Sequence, residues 1–314
     1  VARLPAERGA ESGEDTSPGR VEMLTASVQR RLDEFGATHL SAVLWAAATT
    51  CYSHPPLFVA AASSLRRHEF STSLGPQHAA NILWAYAKVA LDIEVHSVID
   101  RALSVVNECK APELAGIAWA CAAASWHGTA PLCIAVAKRC RDLQWQEFGP
   151  RELVGVLWAF TTSAGREQPR MMEGASRLEV LDYEEVAGVC TLQADQFSPA
   201  ELCSALASLS QLARSRASGA AGPLRKLMER ASSLAHSLPA TQLVQAVGSF
   251  ASLDVVDYAL LAHVHRWVEA GHLSDLDAVQ LAALALALGR SSSRCGILQT
   301  VLKEAQRHQG LSPR

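Results

Sequence analysis

The histidines and cysteines of this 314-residue sequence are its first candidates for transition-metal ligands. His263 and His265 lie two apart in a predicted helix, where their side chains diverge, and His272 does not supply a third ligand at a suitable spacing. Cys133 and Cys140 are seven apart without histidine partners. The short motifs of dinucleotide, phosphate-loop, zinc-protease and Cys-x-x-Cys sites are also missing. We therefore expect no metal, no cofactor and no catalytic activity.

Polar residues that could bind single-stranded RNA recur along a repeated helix. Relative to a recurrent leucine or alanine, positions −1, +2, +6 and +9 fall on one side of a helix projected at about 100° per residue. We call these positions the polar strip. Side chains of varied hydrogen-bonding type suit the exposed edges of unstacked bases, one per repeat. The candidates are His39, His78, Asn81, Lys88, Gln211, Gln242, Gln245, Gln280 and Arg290. The alternative is that the polar strip binds no ligand. Its small residues would then only allow neighbouring helices to pack closely, and its polar residues would only face water.

Basic residues cluster on the second helix of several repeats and in the following loops. Such clusters could follow a phosphate backbone and give an affinity that falls with salt. The alternative is an ordinary solvated helix face. The candidate phosphate contacts are Arg66, Arg67, Lys138, Arg139, Arg141, Arg214, Arg216, Arg225 and Lys226.

A repeat of about 38 to 40 residues positions these side chains. Apolar residues at +3, +4 and +7 from each anchor complete one helical face, and a second amphipathic helix follows after a short breaker. Self-similarity at this period is typical of an α-solenoid. The seven anchors are Leu40, Ala79, Leu114, Leu153, Leu202, Leu243 and Leu281.

These anchors divide the chain into one repeat domain with two tails. We expect an all-α solenoid of seven helix-turn-helix repeats over 20–309, with a capping helix at 20–35 and an insertion of about ten residues within 163–196. Residues 1–19, which mix Gly, Pro, Ser and both charge signs, are predicted to be a disordered tail. A short tail is expected at 310–314.

Four repeats carry a tryptophan at position +5, namely Trp45, Trp84, Trp119 and Trp158. An exposed indole could stack on a base. An alanine follows each tryptophan, which favours packing in the seam between neighbouring repeats. The last three repeats have Ala207, Gly248 and Leu286 at this position.

Composition limits the partners that the chain can attract. Hydrophobic residues make up 49% of the sequence. The formal net charge is −3, so no global positive field draws the chain to nucleic acid or to anionic lipid. Any RNA binding must depend on local patches. No apolar run is long enough to predict a transmembrane helix, so we expect no membrane insertion. The eight dispersed cysteines are predicted to be reduced core residues.

The segments HAANILWAYAKVA (78–90) and PRELVGVLWAFTTSAG (150–165) resemble octotricopeptide-type repeats of algal organelle proteins. They also resemble the repeats of alveolate and FAST-kinase-like RNA-binding proteins. The resemblance is close over residues 37–162 and weaker in the last three repeats. It implies an α-solenoid that binds organellar RNA, acting in transcript stabilisation, processing or translation, or as part of an organellar ribosome. A mitochondrion is favoured over a plastid. Many such proteins end in a RAP domain, but no such segment follows residue 309, so nuclease-like chemistry is not expected.

A protein-binding scaffold, or an accessory subunit of a large organellar complex, is the alternative. Solenoid surfaces also hold peptides, and the weak net charge and alanine-rich faces of this chain favour that function.

Overall fold

The computed structural model describes residues 25–50, 55–91, 93, 95–124, 126–162, 181–214, 221–290 and 296–308. Within these ranges every regular element is helical, as the sequence predicts. The predicted tails and the residues of the insertion at 163–180 lie outside them. Residues 25–30 and Leu32–Glu34, in the predicted capping segment, are helical.

Within the described residues, each repeat contains two main helices. The first helices are α1 (Ala37–Thr49), α4 (Pro76–Val89), α6 (Ala111–Ala124), α8 (Pro150–Thr162), α10 (Pro199–Ala213), α12 (Ala240–Ser252) and α14 (Ala278–Arg290). The second helices are α2 (Pro55–Leu65), α5 (His96–Val105), α7 (Ala130–Asp142), α9 (Tyr183–Leu192), α11 (Arg225–Leu234), α13 (Tyr258–Glu269) and α15 (Gly296–His308), and the short α3 (His68–Ser73) follows α2.

The first helices form one layer, in which each packs against the next in chain order from α1 to α14. In the second layer α5 contacts α7, and α9, α11, α13 and α15 contact one another in succession. Contacts between neighbours in chain order are the defining property of a solenoid, so the predicted fold class is confirmed.

All seven first helices begin in the same way. The anchor amide donates to the carbonyl oxygen four residues earlier at 2.9–3.0 Å, which makes that earlier residue the N-cap. The residue before the N-cap is apolar in each repeat, for example Leu74 before Gly75 and Phe197 before Ser198. An apolar residue at this position and at the fourth helical position forms a hydrophobic staple that fixes how the chain enters the helix. Every anchor is at most 1% exposed, so the repeat register read from the sequence is also the register of the core.

The cysteines within the described ranges belong to this core. All six are buried and none of them forms a disulfide, as predicted, while Cys51 and Cys295 lie outside the described ranges. Burial raises the pKa of Cys109, Cys140, Cys190 and Cys203 to about 12. Their thiols therefore behave as small apolar side chains.

Candidate binding site

The four tryptophans of the first helices form one continuous row. The ring centroids of Trp45 and Trp84 lie 6.4 Å apart, those of Trp84 and Trp119 5.9 Å apart, and those of Trp119 and Trp158 6.1 Å apart. Each ring thus contacts the indole of the adjacent repeat, which confirms the predicted packing across the seams. Trp45, at the first end of the row, is 45% exposed.

An open cavity of about 260 Å³ lies beyond Trp158, the last tryptophan of the row, where position +5 carries Ala207 and Gly248. Its walls come from α10, α12 and α14. Leu286, the +5 residue of the last repeat, is 61% exposed and lines the same cavity. The small residues at 207 and 248 therefore leave space on the face that indoles cover in the first four repeats.

Four polar side chains of the predicted sets line this cavity. Gln211, Gln245 and Arg290 belong to the polar strip, and Arg214 to the predicted phosphate contacts. No carboxylate is found among the described lining residues. Within the described part of the chain, the two amides and the two guanidinium groups make no side-chain hydrogen bond or ion pair. Their hydrogen-bonding capacity is thus available to a ligand.

Two of the three serine hydroxyls on the cavity wall are already engaged as donors. Ser210 Oγ donates to the Ala207 carbonyl oxygen at 2.9 Å, and Ser249 Oγ donates to the Gln245 carbonyl oxygen at 2.8 Å. These hydroxyls keep lone pairs that can accept, whereas the glutamine amides can both donate and accept. The amides are therefore the groups best suited to recognise a ligand edge.

Two other members of the polar strip cap their own helices. The Gly75 amide donates to His78 Nδ1 at 3.1 Å, and the Asp277 amide donates to Gln280 Oε1 at 3.0 Å. Glu152, at the same −1 position, accepts from the Gly149 amide at 3.1 Å. Position −1 is therefore the third residue of each first helix, and in these three repeats its side chain satisfies the N-cap amide. These contacts occupy the acceptors of His78 and Gln280 within the chain itself.

Gln242 and His39 occupy the same position without making this bond. The N-cap of α12 is Pro239, which has no amide proton to donate. Gln242 Oε1 accordingly remains buried without a hydrogen-bond partner in the described residues. His39 instead packs edge-on against Phe35, with ring centroids 6.1 Å apart.

The remaining candidates lie away from the cavity. Asn81 is half-buried and Lys88 exposed on α4, in the part of the layer that carries the tryptophan row. Neither of them lines the cavity, so the structure gathers only the C-terminal part of the polar strip into one site.

Most of the predicted phosphate contacts belong to the second layer, and several already have partners. Lys226 Nζ lies 3.0 Å from Asp195 Oδ2, and Arg225 Nε lies 3.4 Å from Glu229 Oε1. Arg139 Nε donates to the Cys109 carbonyl oxygen at 3.4 Å. The other described members are Arg66 and Arg67, which donate to serine hydroxyls, and the exposed Lys138 and Arg141. Arg216 lies outside the described residues.

Neither a metal site nor a membrane span is found within the described ranges. No group of three or more His, Cys, Asp or Glu residues there is arranged to hold a metal ion. No helix in that part of the chain is long and apolar enough to cross a bilayer. No model of a known protein family matches this sequence, and no curated protein matches it significantly.

Proposed function

We propose that this chain is a non-catalytic helical-repeat protein that binds single-stranded or irregular RNA through its first-helix layer. It acts in an organelle, a mitochondrion rather than a plastid, in RNA stabilisation, processing or translation. It works there as a free factor or within a ribonucleoprotein such as the organellar ribosome. The resemblance of its first four repeats to organellar RNA-binding repeats supports this setting.

The cavity formed by α10, α12 and α14 is the observation that carries the proposal. It combines two cationic groups, two unpaired amides and no described carboxylate in a chain whose formal net charge is −3. Guanidinium groups bind phosphate oxygens well, and amides pair with base edges. A local site of this composition favours an anionic ligand that also offers hydrogen-bonding edges, which describes a polynucleotide.

Arg214 and Arg290 set the expected dependence on salt. A contact to single-stranded nucleic acid contributes roughly −0.7 to the slope of log K against log salt for each neutralised phosphate. Two contacts predict a slope of about −1.4, which is about a sevenfold loss of affinity between roughly 50 and 200 mM salt.

The test is fluorescence anisotropy with short oligoribonucleotides across this salt range. Replacing Arg214 and Arg290 by glutamine, one at a time, should flatten the slope by about 0.7 each. Lys226→Gln is the matched control, because Lys226 is paired with Asp195 and lies away from the cavity. Absence of salt-dependent RNA binding by the unmodified chain would refute the proposal.

A protein-binding scaffold remains the second candidate, because apolar side chains are exposed on the last repeat. Val279 is 79% exposed and Leu302 45%, and Leu286 lines the cavity mouth. Pulldown from fractionated organelles, with sequencing of both RNA and peptides, separates the two functions. A protein partner that stays bound after ribonuclease treatment and is lost in Leu286→Gln would favour the scaffold.

A further inference from the structure

We infer that the cavity between α10, α12 and α14 is a slot for one unstacked RNA base, in the place where the tryptophan row is interrupted. This inference rests on the proposed function and assigns its base-binding site.

The tryptophan row is interrupted because the side chains at position +5 become small after Trp158. Trp158 ends the row, and the next two +5 residues, Ala207 and Gly248, have at most one side-chain carbon. A Cβ added to Gly248 would meet no heavy atom within 4 Å, so this side of α12 is open. At about 260 Å³ the cavity is smaller than the roughly 300–1,000 Å³ typical of drug-sized ligands. One ring with its substituents is a ligand of the right size.

The lining has the chemistry of a base site. Leu286, with the small residues at 207 and 248, offers an apolar surface to a ring face. Gln211 and Gln245 offer donors and acceptors to a ring edge, and a glutamine amide can bond an adenine edge through two atoms.

The arginines complete the case for a nucleotide. Arg214 is the C-cap of α10 and Arg290 is the last residue of α14, so the two cations stand on the outer two of the three helices that form the slot. Phosphates on either side of a bound base would meet one cation each. An acidic peptide could use the same cations and could bond the amides through its backbone. A nucleotide in addition places a flat ring between two phosphates, which matches a ring-sized cavity between two cations.

The test uses a substitution that fills the slot without altering its charge. Gly248→Leu gives α12 the residue that the last repeat has at this position, and Gly248→Ala is the matched control that leaves the slot open. The probes are a six-nucleotide oligoadenylate, 5′-AMP, inorganic polyphosphate of similar charge, and an acidic hexapeptide, all measured by competition anisotropy. Circular dichroism of each variant checks that the helices are intact.

We expect the unmodified chain and Gly248→Ala to prefer oligoadenylate over polyphosphate. Gly248→Leu should weaken oligoadenylate binding about tenfold, to the level of polyphosphate, while the salt slope stays unchanged. Competition by 5′-AMP in the unmodified chain and Gly248→Ala, but not in Gly248→Leu, would support a slot that recognises the base. Tight binding of 5′-AMP with no gain from the oligomer would overturn the assignment to RNA, because the ligand would then be a free nucleotide.

Three results would overturn the slot, and they do so in two distinguishable ways. Salt-dependent RNA binding with the same preference in Gly248→Leu would remove the slot and leave the proposed function standing. No RNA binding by the unmodified chain, or tighter binding of the acidic peptide, would remove both.

Discussion

Truncating Trp119 should destabilise the array more than truncating Trp45, although both residues occupy the same repeat position. Trp119 lies between two indoles, with ring centroids at 5.9 and 6.1 Å, and is half-buried. Trp45 packs against one indole and is 45% exposed. Trp119→Ala therefore breaks two indole pairs and uncovers more apolar area, whereas Trp45→Ala breaks one pair.

The magnitudes follow from these differences. An aromatic pair contributes about 0.5–1.5 kcal/mol beyond its buried area, so Trp119→Ala loses about 2 kcal/mol from two pairs. Adding about 1–1.5 kcal/mol for partial burial gives a loss of about 3 kcal/mol. Trp45→Ala loses one pair and less area, or about 1.5 kcal/mol. The helix propensity gained with alanine is the same in both variants and cancels in the comparison.

Urea denaturation followed by far-ultraviolet circular dichroism measures both losses. The m-value must stay constant, because a repeat array can unfold in parts. A Trp84/Trp119 double-mutant cycle should give a coupling of about 1 kcal/mol, whereas Trp45 and Trp158, which do not touch, should be additive. Equal losses for Trp119→Ala and Trp45→Ala, or no coupling in the cycle, would show that the row does not stabilise the seams.

Four further predictions concern the backbone, a helix cap and the core. In urea denaturation Gly248→Ala should raise the free energy of unfolding by about 0.5–1 kcal/mol, because a Cβ there meets open space in mid-helix. Gly271→Ala should lower it by about 1 kcal/mol or more, because φ is +87° at this residue, and the reverse order would contradict the backbone assignment. Gln280→Ala should cost about 0.5–1 kcal/mol through loss of the bond from the Asp277 amide, and a neutral result would mean that water replaces the cap. Burial keeps four thiols protonated, so alkylation at about pH 8 followed by mass spectrometry should modify them only after unfolding, and rapid native labelling would contradict their burial. These thiols are Cys109, Cys140, Cys190 and Cys203.

The repeat and its register could be predicted because they depend on local apolar spacing. Leu40 and Leu281, some 240 residues apart, are recognisable as equivalent from the pattern around them, and both are fully buried. A helix whose apolar face recurs at a constant period leaves the chain few ways to bury that face other than stacking.

The roles of His78 and Gln280 were not predictable from helical projection. Projection treats a helix as endless and groups position −1 with +2, +6 and +9. Real helices begin with unbonded amides, and a side chain in the first turn can fold back to satisfy them. The recurrence of an apolar residue, a cap and then Glu, Gln or His three residues later was the signal that could have revealed this.

The cavity also required the structure, because it depends on volumes contributed by three helices. The loss of tryptophan at 207 and 248 was visible in the sequence, but it indicated only a weaker repeat match. Likewise, the pairing of Lys226 depends on Asp195, which precedes it by 31 residues and lies on a different element. Contacts between elements of this kind are not encoded in local periodicity.

The tryptophan row also predicts how resistance to bending is distributed along the array. Indole contacts join the first four repeats, whereas the small residues Ala207 and Gly248 leave an open cavity between α10, α12 and α14. The stability of a repeat array is approximately a sum of contributions from the repeats and from the interfaces between them. The interfaces with the least packing are therefore the easiest to deform. We therefore expect the first four repeats to resist bending and the last three to change curvature more easily when a ligand binds.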